Sequence, residues 1–259
     1  MVQTRRVAEP PAFVRLASHP LRWALMRALA ESDLRVRELT ARVGESQNLV
    51  SYHLRLLRDA GLVTTTRSTY DGRDTYYHLD LDRCADGLAE TGAALHPVLR
   101  PAHVALAVRP PRRTAVLFVC TGNSARSPIA EALLRHRVGG RVTVTSAGTR
   151  PKPDLHPHAV RVLREGFGID VADQRPRHLD TVAARRFDHV ITLCDKAREA
   201  CPEFRDDPRR THWSVPDPAT TQASDHGYRA FQAVAADIDI RVRHLLPVLA
   251  DPPPQEAQP

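Results

Sequence analysis

Cysteine is scarce in this chain. Only Cys84, Cys120, Cys194 and Cys201 occur among 259 residues, too few for a disulfide scaffold of this length and not at zinc-ligand spacings. No apolar run approaches the ~18 residues of a membrane span, and no signal-peptide pattern is present. The chain is therefore expected to be cytoplasmic, with no membrane partner, and thiols there are more often catalytic or redox-active than structural. Lysine is almost missing as well: Lys152 and Lys196 are the only two, so arginine carries nearly all of a formal net charge of +7. That balance admits an acidic partner, nucleic acid or a phosphate-like substrate, without requiring one. Internal repeats are absent, and the length suits two domains, each with its own core.

What is present centres on Val116-Leu117-Phe118-Val119-Cys120-Thr121-Gly122-Asn123-Ser124-Ala125-Arg126-Ser127. A short apolar run reads as a buried strand ending at Cys120. After it come a tight loop, Arg126, Ser127, and a helical pattern from Pro128. Strand, loop and helix start make an anion site, because the backbone N–H groups of 121–127 and the helix N-terminus converge on one point. Arg126 adds a forked cation suited to a tetrahedral oxyanion. The same positive field is expected to depress the Cys120 thiol below its ordinary pKa, and a thiolate facing a bound oxyanion is a nucleophile. Ser127 is placed to hydrogen-bond that thiolate or to cap the helix.

Residues Thr114 to Ala250 resemble the low-molecular-weight protein tyrosine phosphatase fold, shared by the thioredoxin-coupled arsenate reductases. The resemblance implies an oxyanion loop of Thr121, Gly122, Asn123, Ser124, Ala125, Arg126 and Ser127 around the nucleophile Cys120. Many relatives carry a second cysteine where this chain has Ala125. The periodicity predicts strands at 114–119, 141–146, 189–193 and 211–215, alternating with helices at 128–137, 156–165, near 181–186, and from about 228 to 249. Such alternation argues for a four-stranded parallel sheet covered on both faces. Ligands of such sheets bind beyond the carboxyl ends of the strands, where Cys120, Cys194 and Asp217 all fall. Asp217, in an Asp-Pro dipeptide, is placed to act as general acid toward the leaving group.

Cys194-Asp195-Lys196-Ala197-Arg198-Glu199-Ala200-Cys201-Pro202 looks like the redox helix of the arsenate reductases. Were it helical, a rise of ~1.5 Å per residue would put the two Cα atoms roughly 10 Å apart. A disulfide needs about 4.4–6.8 Å, so the pair can bond only when the helix unwinds. The resemblance implies a relay in which Cys120 attacks arsenate, Cys194 attacks Cys120, and Cys201 takes over the disulfide. Thioredoxin, or a low-molecular-weight thiol, would then reduce it. A phosphotyrosine phosphatase using Cys120, Arg126 and Asp217 alone is the alternative enzyme, and a non-catalytic arsenate or redox sensor the alternative regulator. No bound cofactor and no metal are expected: His156 and His158 have no third ligand evident.

The N-terminal part reads differently. Apolar positions suggest a helix pair broken near His19-Pro20, then a short helix from Val36 to Gly44. A second helix starts after the N-cap Ser46, with Val50, Leu54 and Leu57 on one face. Gln47, Asn48, Ser51, Tyr52 and Arg55 fall on the other, residue types that contact base edges and phosphates. Two β-rich runs, at 62–66 and 75–79, flank Asp71-Gly72 as a hairpin, with Arg67 and Arg73 near its tip for the phosphate backbone. Ser46 to Val63 resembles the ArsR-type winged-helix repressors, a match covering roughly Phe13 to Pro97. It implies a homodimer on operator DNA, held together by the Ala/Leu-rich helical stretch from Asp82 to Val108. Where arsenic-sensing members carry a cysteine pair, this chain has Arg35 and Arg37, so sensing at that place does not carry over. Cys84 reads as a buried structural cysteine. The expected organisation is an α+β winged-helix domain at 1–108, a Pro-Pro linker at 109–113, an α/β domain at 114–250, and a disordered tail at 251–259.

Overall fold

The computed structural model describes residues 9–96, 99, 114–140, 142–204, 208–220 and 224–250. The linker and the C-terminal tail expected from the sequence lie outside these residues. Two compact units divide these residues: those up to Arg67 together with those from Asp74 to the end of the helix Leu81–Leu95 form one, and Ser68–Arg73 together with those from Thr114 onward form the other.

In the first unit, α1 (Ala12–Ala17) and α2 (Pro20–Glu31) are separated where Pro20 forbids a continuous helix. His19 caps α2, its Nδ1 accepting from the Leu21 N–H at 3.2 Å. A two-residue strand β1 (Leu34–Arg35), not anticipated from the sequence, leads into α3 (Val36–Val43), which stops at Gly44 in the left-handed region with φ 70°. The helix α4 (Gln47–Asp59) begins at Ser46, whose hydroxyl accepts from the Leu49 N–H, and buries Val50, His53, Leu54 and Leu57. The hairpin β2 (Val63–Arg67) and β3 (Thr75–Leu79) follows, then α5 (Leu81–Leu95). The three strands form an antiparallel sheet in the order β1-β3-β2. Leu25, Leu39, Val50 and Leu57 are wholly buried between helices and sheet. Cys84 is buried in α5, and burial, with Asp80 nearby, pushes its thiol up to about 11.

The second unit is a parallel sheet in the order β5-β4-β6-β7, formed by β4 (Ala115–Cys120), β5 (Thr143–Gly148), β6 (His189–Thr192) and β7 (Arg209–His212). Its helices are α6 (Arg126–Val138), α7 (Pro157–Phe167), α8 (Asp195–Ala200) and α9 (Ser224–Ala250). Val116 to Val119 are completely buried, as a central parallel strand covered on both faces requires. Every residue of α6 from Arg126 to Leu134 is buried, since it packs against β5 on one side and α9 on the other. Three expectations need correction. The strand expected at 141–146 runs from Thr143 to Gly148, two residues later. The segment at 181–186 forms no α-helix, only a 3-10 turn at Leu179–Thr181. The last strand lies at Arg209–His212, two residues earlier than the apolar pattern of 211–215 suggested. No helix among the described residues is long and apolar enough to cross a membrane.

Candidate active site

The carboxyl ends of the parallel strands carry the chemistry. Cys120 is the last residue of β4 and pairs in register with Gly148, the last of β5. The loop after Cys120 is turned by its own carbonyls. Those of Cys120, Thr121, Gly122 and Ser124 accept from the backbone N–H groups of Thr149, Arg150, Lys152 and His156, at 2.8–3.2 Å. Because a trans peptide points its N–H opposite to its carbonyl, the amides of 121, 122, 123 and 125 face away from those partners. Asn123 N already donates to Cys120 Sγ at 3.2 Å. Asn123 at φ 44° supplies the left-handed turn of the loop.

Gly148 makes that turn possible. A Cβ there would lie 2.7 Å from the Thr121 carbonyl oxygen and 2.9 Å from Asn123 Cβ, closer than real contacts allow. The sequence reading missed this glycine. It also missed the polar chain beneath the loop. Asn123 Nδ2 donates to Ser127 Oγ (2.9 Å) and Ser146 Oγ (2.8 Å), while Asn123 Oδ1 accepts from the Arg177 N–H at 2.8 Å. Ser146 in turn donates to Glu131 Oε2 at 2.5 Å, which also accepts from Gln174 Nε2 at 2.7 Å, and Arg135 pairs with Glu131 Oε1. A wholly buried carboxylate persists only with such partners. An acidic residue inside a helix buried all round was the one signal that could have announced it.

Ser127 Oγ lies 3.0 Å from Cys120 Sγ. It sits inside α6, whose N-cap is Ala125, so the thiol contact and not capping is its structural role. Arg126 is nearly buried. Its guanidinium donates to the Val215 carbonyl at 3.1 Å and to Asp217 Oδ2 at 2.9 Å. The expected depression of the Cys120 thiol is not what this geometry gives: burial pushes it up, with Arg126 and Ser127 pulling down without offsetting that. Arg126 is also paired with Asp217.

Cys194 and Cys201 flank α8 as its N-cap and C-cap. Cys194 is buried, its Sγ 3.3 Å from the hydroxyl of Thr121, the residue after Cys120, whereas Cys201 is half-buried and its thiol is pushed up by burial, with Arg210 opposing. All four cysteines are free thiols. The structure thus brings Cys120, Arg126, Ser127, Asp217 and Cys194 together, and leaves Cys201 at the far end of a helical turn and a half. His156 and His158 stack against Phe231 and Tyr228. Among the described residues, no group of three or more His, Cys, Asp or Glu side chains could hold a metal ion.

Residues 115–253 match the low molecular weight phosphotyrosine protein phosphatase family. The chain belongs to that family. Arsenate reductases of Bacillus licheniformis and Bacillus subtilis are each 36% identical to it, over 132 and 129 residues; these cover 51% and 49% of this chain and 94% and 91% of theirs. A solved arsenate reductase from Archaeoglobus fulgidus is 33% identical, covering 51% of this chain and 98% of its own, with a TM-score of 0.42. Residues 19–65 match the bacterial regulatory protein arsR family. The chain thus joins an ArsR-family helix-turn-helix domain to a domain of the low molecular weight phosphatase and arsenate reductase type.

In the ArsR-family unit, Gln47, Asn48, Ser51, Tyr52 and Arg55 form the exposed face of α4, and Arg67 and Arg73 are exposed in the hairpin. The Arg55 guanidinium lies over the Tyr52 ring at 5.6 Å. Arg35 and Arg37 both pair with Asp74, at 3.0 and 3.3 Å, and Arg35 also pairs with Glu38. Ion pairs stand where a cysteine pair would be needed for a thiolate site.

Proposed function

We propose that the protein is a DNA-binding regulator that also reduces arsenate to arsenite through Cys120, Cys194 and Cys201. Arsenate enters the cradle of 121–127, held by the loop amides and Arg126. The Cys120 thiolate attacks arsenic, an As–S bond forms, and Asp217 gives its proton to the oxygen that leaves as water. The Cys194 thiolate then attacks Cys120 Sγ. A Cys120–Cys194 disulfide forms, the As–S bonding pair passes to arsenic, and arsenite departs as As(III). Cys201 attacks Cys194, so the disulfide moves to Cys194–Cys201 and Cys120 leaves as thiolate. A dithiol protein of the thioredoxin class, or a low-molecular-weight thiol, returns the pair to its reduced state.

The observation that carries this reading is the position of Cys194. Its thiol touches the residue adjacent to the nucleophile, and a second cysteine ends the same short helix. A phosphatase would need neither. The family match favours hydrolysis of phosphotyrosine as the second reading, because Cys120, Arg126 and Asp217 suit both reactions. Thioredoxin-coupled NADPH consumption with arsenate, beside aryl phosphate hydrolysis, separates them. Cys194→Ser should abolish the first; a variant that retained full arsenate turnover would remove the relay.

For the N-terminal unit, the exposed face of α4 supports insertion into the major groove, with Arg67 and Arg73 on phosphates. Exposed Leu88 and Leu95 on α5 support a homodimer formed through that helix.

A further inference from the structure

One strand holds both ends of the redox-cysteine helix. At the first turn of α8 the Asp195 carboxylate is buried; its Oδ1 accepts from His212 Nε2 at 3.1 Å and from Ser214 Oγ at 2.9 Å, and its Oδ2 accepts from the Thr69 N–H at 2.6 Å and the Thr69 hydroxyl at 3.1 Å. The tautomer with its proton on Nε2 leaves His212 Nδ1 to accept from the Thr192 hydroxyl, 2.8 Å away on β6. Burial opposes its charge, but hydrogen bonds from the His212 imidazole, the Thr69 backbone N–H and the Ser214 hydroxyl outweigh burial and hold the Asp195 carboxyl below its usual range. At the other end, Arg210 Nη2 donates to the Pro202 carbonyl, one residue past Cys201, at 3.1 Å. Arg210 and His212 are two apart on β7 and so lie on the same face of the strand.

The two restraints differ in kind. The first is a buried carboxylate that accepts four charge-assisted hydrogen bonds; the second is a single bond from an exposed arginine to a neutral carbonyl. When the helix opens, the second gives way and the first stays. We propose that Asp195, anchored by His212, Ser214 and Thr69, is a positioning residue for Cys194. It fixes the start of α8 so that the Cys194 thiol stays at the Thr121 hydroxyl, and Cys201 is the cysteine that travels. This rests on the relay reading. In the step concerned, Cys201 thiolate attacks Cys194 Sγ, the Cys194–Cys201 bond forms, the Cys120–Cys194 bond breaks, and Cys120 takes the electron pair. Arsenic is already reduced by then, so no further oxidant is involved.

The test uses the full chain and the variants His212→Leu, His212→Gln and Ser214→Ala, with iodoacetamide alkylation read at each cysteine by mass spectrometry. The glutamine amide can replace the Nε2 donor; leucine cannot. With the anchor weakened at its imidazole, Cys194 should be alkylated about tenfold faster in His212→Leu, while Cys120 stays within about twofold of the parent. His212→Gln should restore the parent rate at Cys194, and arsenate-dependent turnover should follow the same pattern, falling in kcat with KM unchanged. Equal acceleration at Cys120 and Cys194 would mean general loosening and would overturn the assignment, as would an unchanged Cys194 rate. Ser214→Ala, which removes one of the four hydrogen bonds to the Asp195 carboxylate, decides the matter should His212→Leu not fold. If the parent reduces no arsenate, the relay reading fails by itself, and the alkylation pattern still decides whether Asp195 anchors Cys194.

Discussion

Removing the Ser127 hydroxyl should make Cys120 less reactive, by an amount the local geometry sets. Asn123 Nδ2 has two hydrogens, and they go to Ser127 Oγ and Ser146 Oγ. Ser127 Oγ therefore accepts from Asn123, and its own hydrogen is left to point at Cys120 Sγ, 3.0 Å away. A hydrogen bond to a charged acceptor contributes about 1.5–3 kcal/mol, and to a neutral one about 0.5–1.5 kcal/mol. Ser127→Ala thus disfavours the thiolate over the thiol by about 1–1.5 kcal/mol, a loss of about five- to tenfold in thiolate at any pH where the thiol predominates. It also leaves one buried amide hydrogen of Asn123 without its acceptor, which should cost about 1–3 kcal/mol of stability. The assay is the rate of iodoacetamide alkylation at Cys120 across a pH series, with urea unfolding alongside. The profile should move to higher pH and the midpoint should fall. An alkylation profile that stays where it was, or moves to lower pH, would refute this account of how the thiolate is stabilised.

Asp217→Asn should act in two opposite directions. Arg126 loses the carboxylate it now pairs with at 2.9 Å, so Cys120 alkylation should speed up, while arsenate turnover falls about a hundredfold or more for want of the proton donor. Gly148→Ala pushes a Cβ to 2.7 Å from the Thr121 oxygen; it should cost about 1–3 kcal/mol in urea unfolding and weaken phosphate binding measured by calorimetry. His189, buried in β6, is held below its ordinary pKa by burial and by Arg209. The unfolded chain then takes up a proton that the folded one excludes, so this contribution is complete above about pH 6.5 and is lost as the pH falls; His189→Gln should flatten the urea midpoint between pH 7.5 and pH 5.5, both values being about one unit from the ordinary histidine pKa. Arg55→Ala should weaken operator binding and reduce the slope of its salt dependence by about 1.

The loop and its flanking elements were legible because local pattern and tertiary role agree there: an apolar strand ends at Cys120, and a helix starts within six residues. The recognition helix was equally plain, since Val50, Leu54 and Leu57 repeat at helical spacing and a serine caps them. What escaped the sequence depends on distant partners. The strand Leu34–Arg35 exists because Tyr76 and Tyr77 pair with it. The edge strand β7 opens on two exposed arginines, so the apolar pattern drew attention to Trp213 and Val215, which are buried beyond its end. Glu131, Ser146 and Gly148 support the loop from other elements, and no spacing connects them to it. The pKa of Cys120 was misjudged for a related reason. A positive loop could be read from residue types, but not the depth of burial or the engagement of Arg126 by Asp217.

The central claim is that arsenic is reduced at Cys120 and the oxidising equivalents end on Cys194 and Cys201. The direct measurement is a single turnover of the fully reduced protein with arsenate and no reductant, quantifying arsenite and mapping disulfides by mass spectrometry. The account predicts one arsenite per chain with a Cys194–Cys201 bond, and in Cys201→Ser a trapped Cys120–Cys194 bond. Three free thiols and no arsenite after incubation, or arsenite formed with Cys194 still reduced, would contradict it.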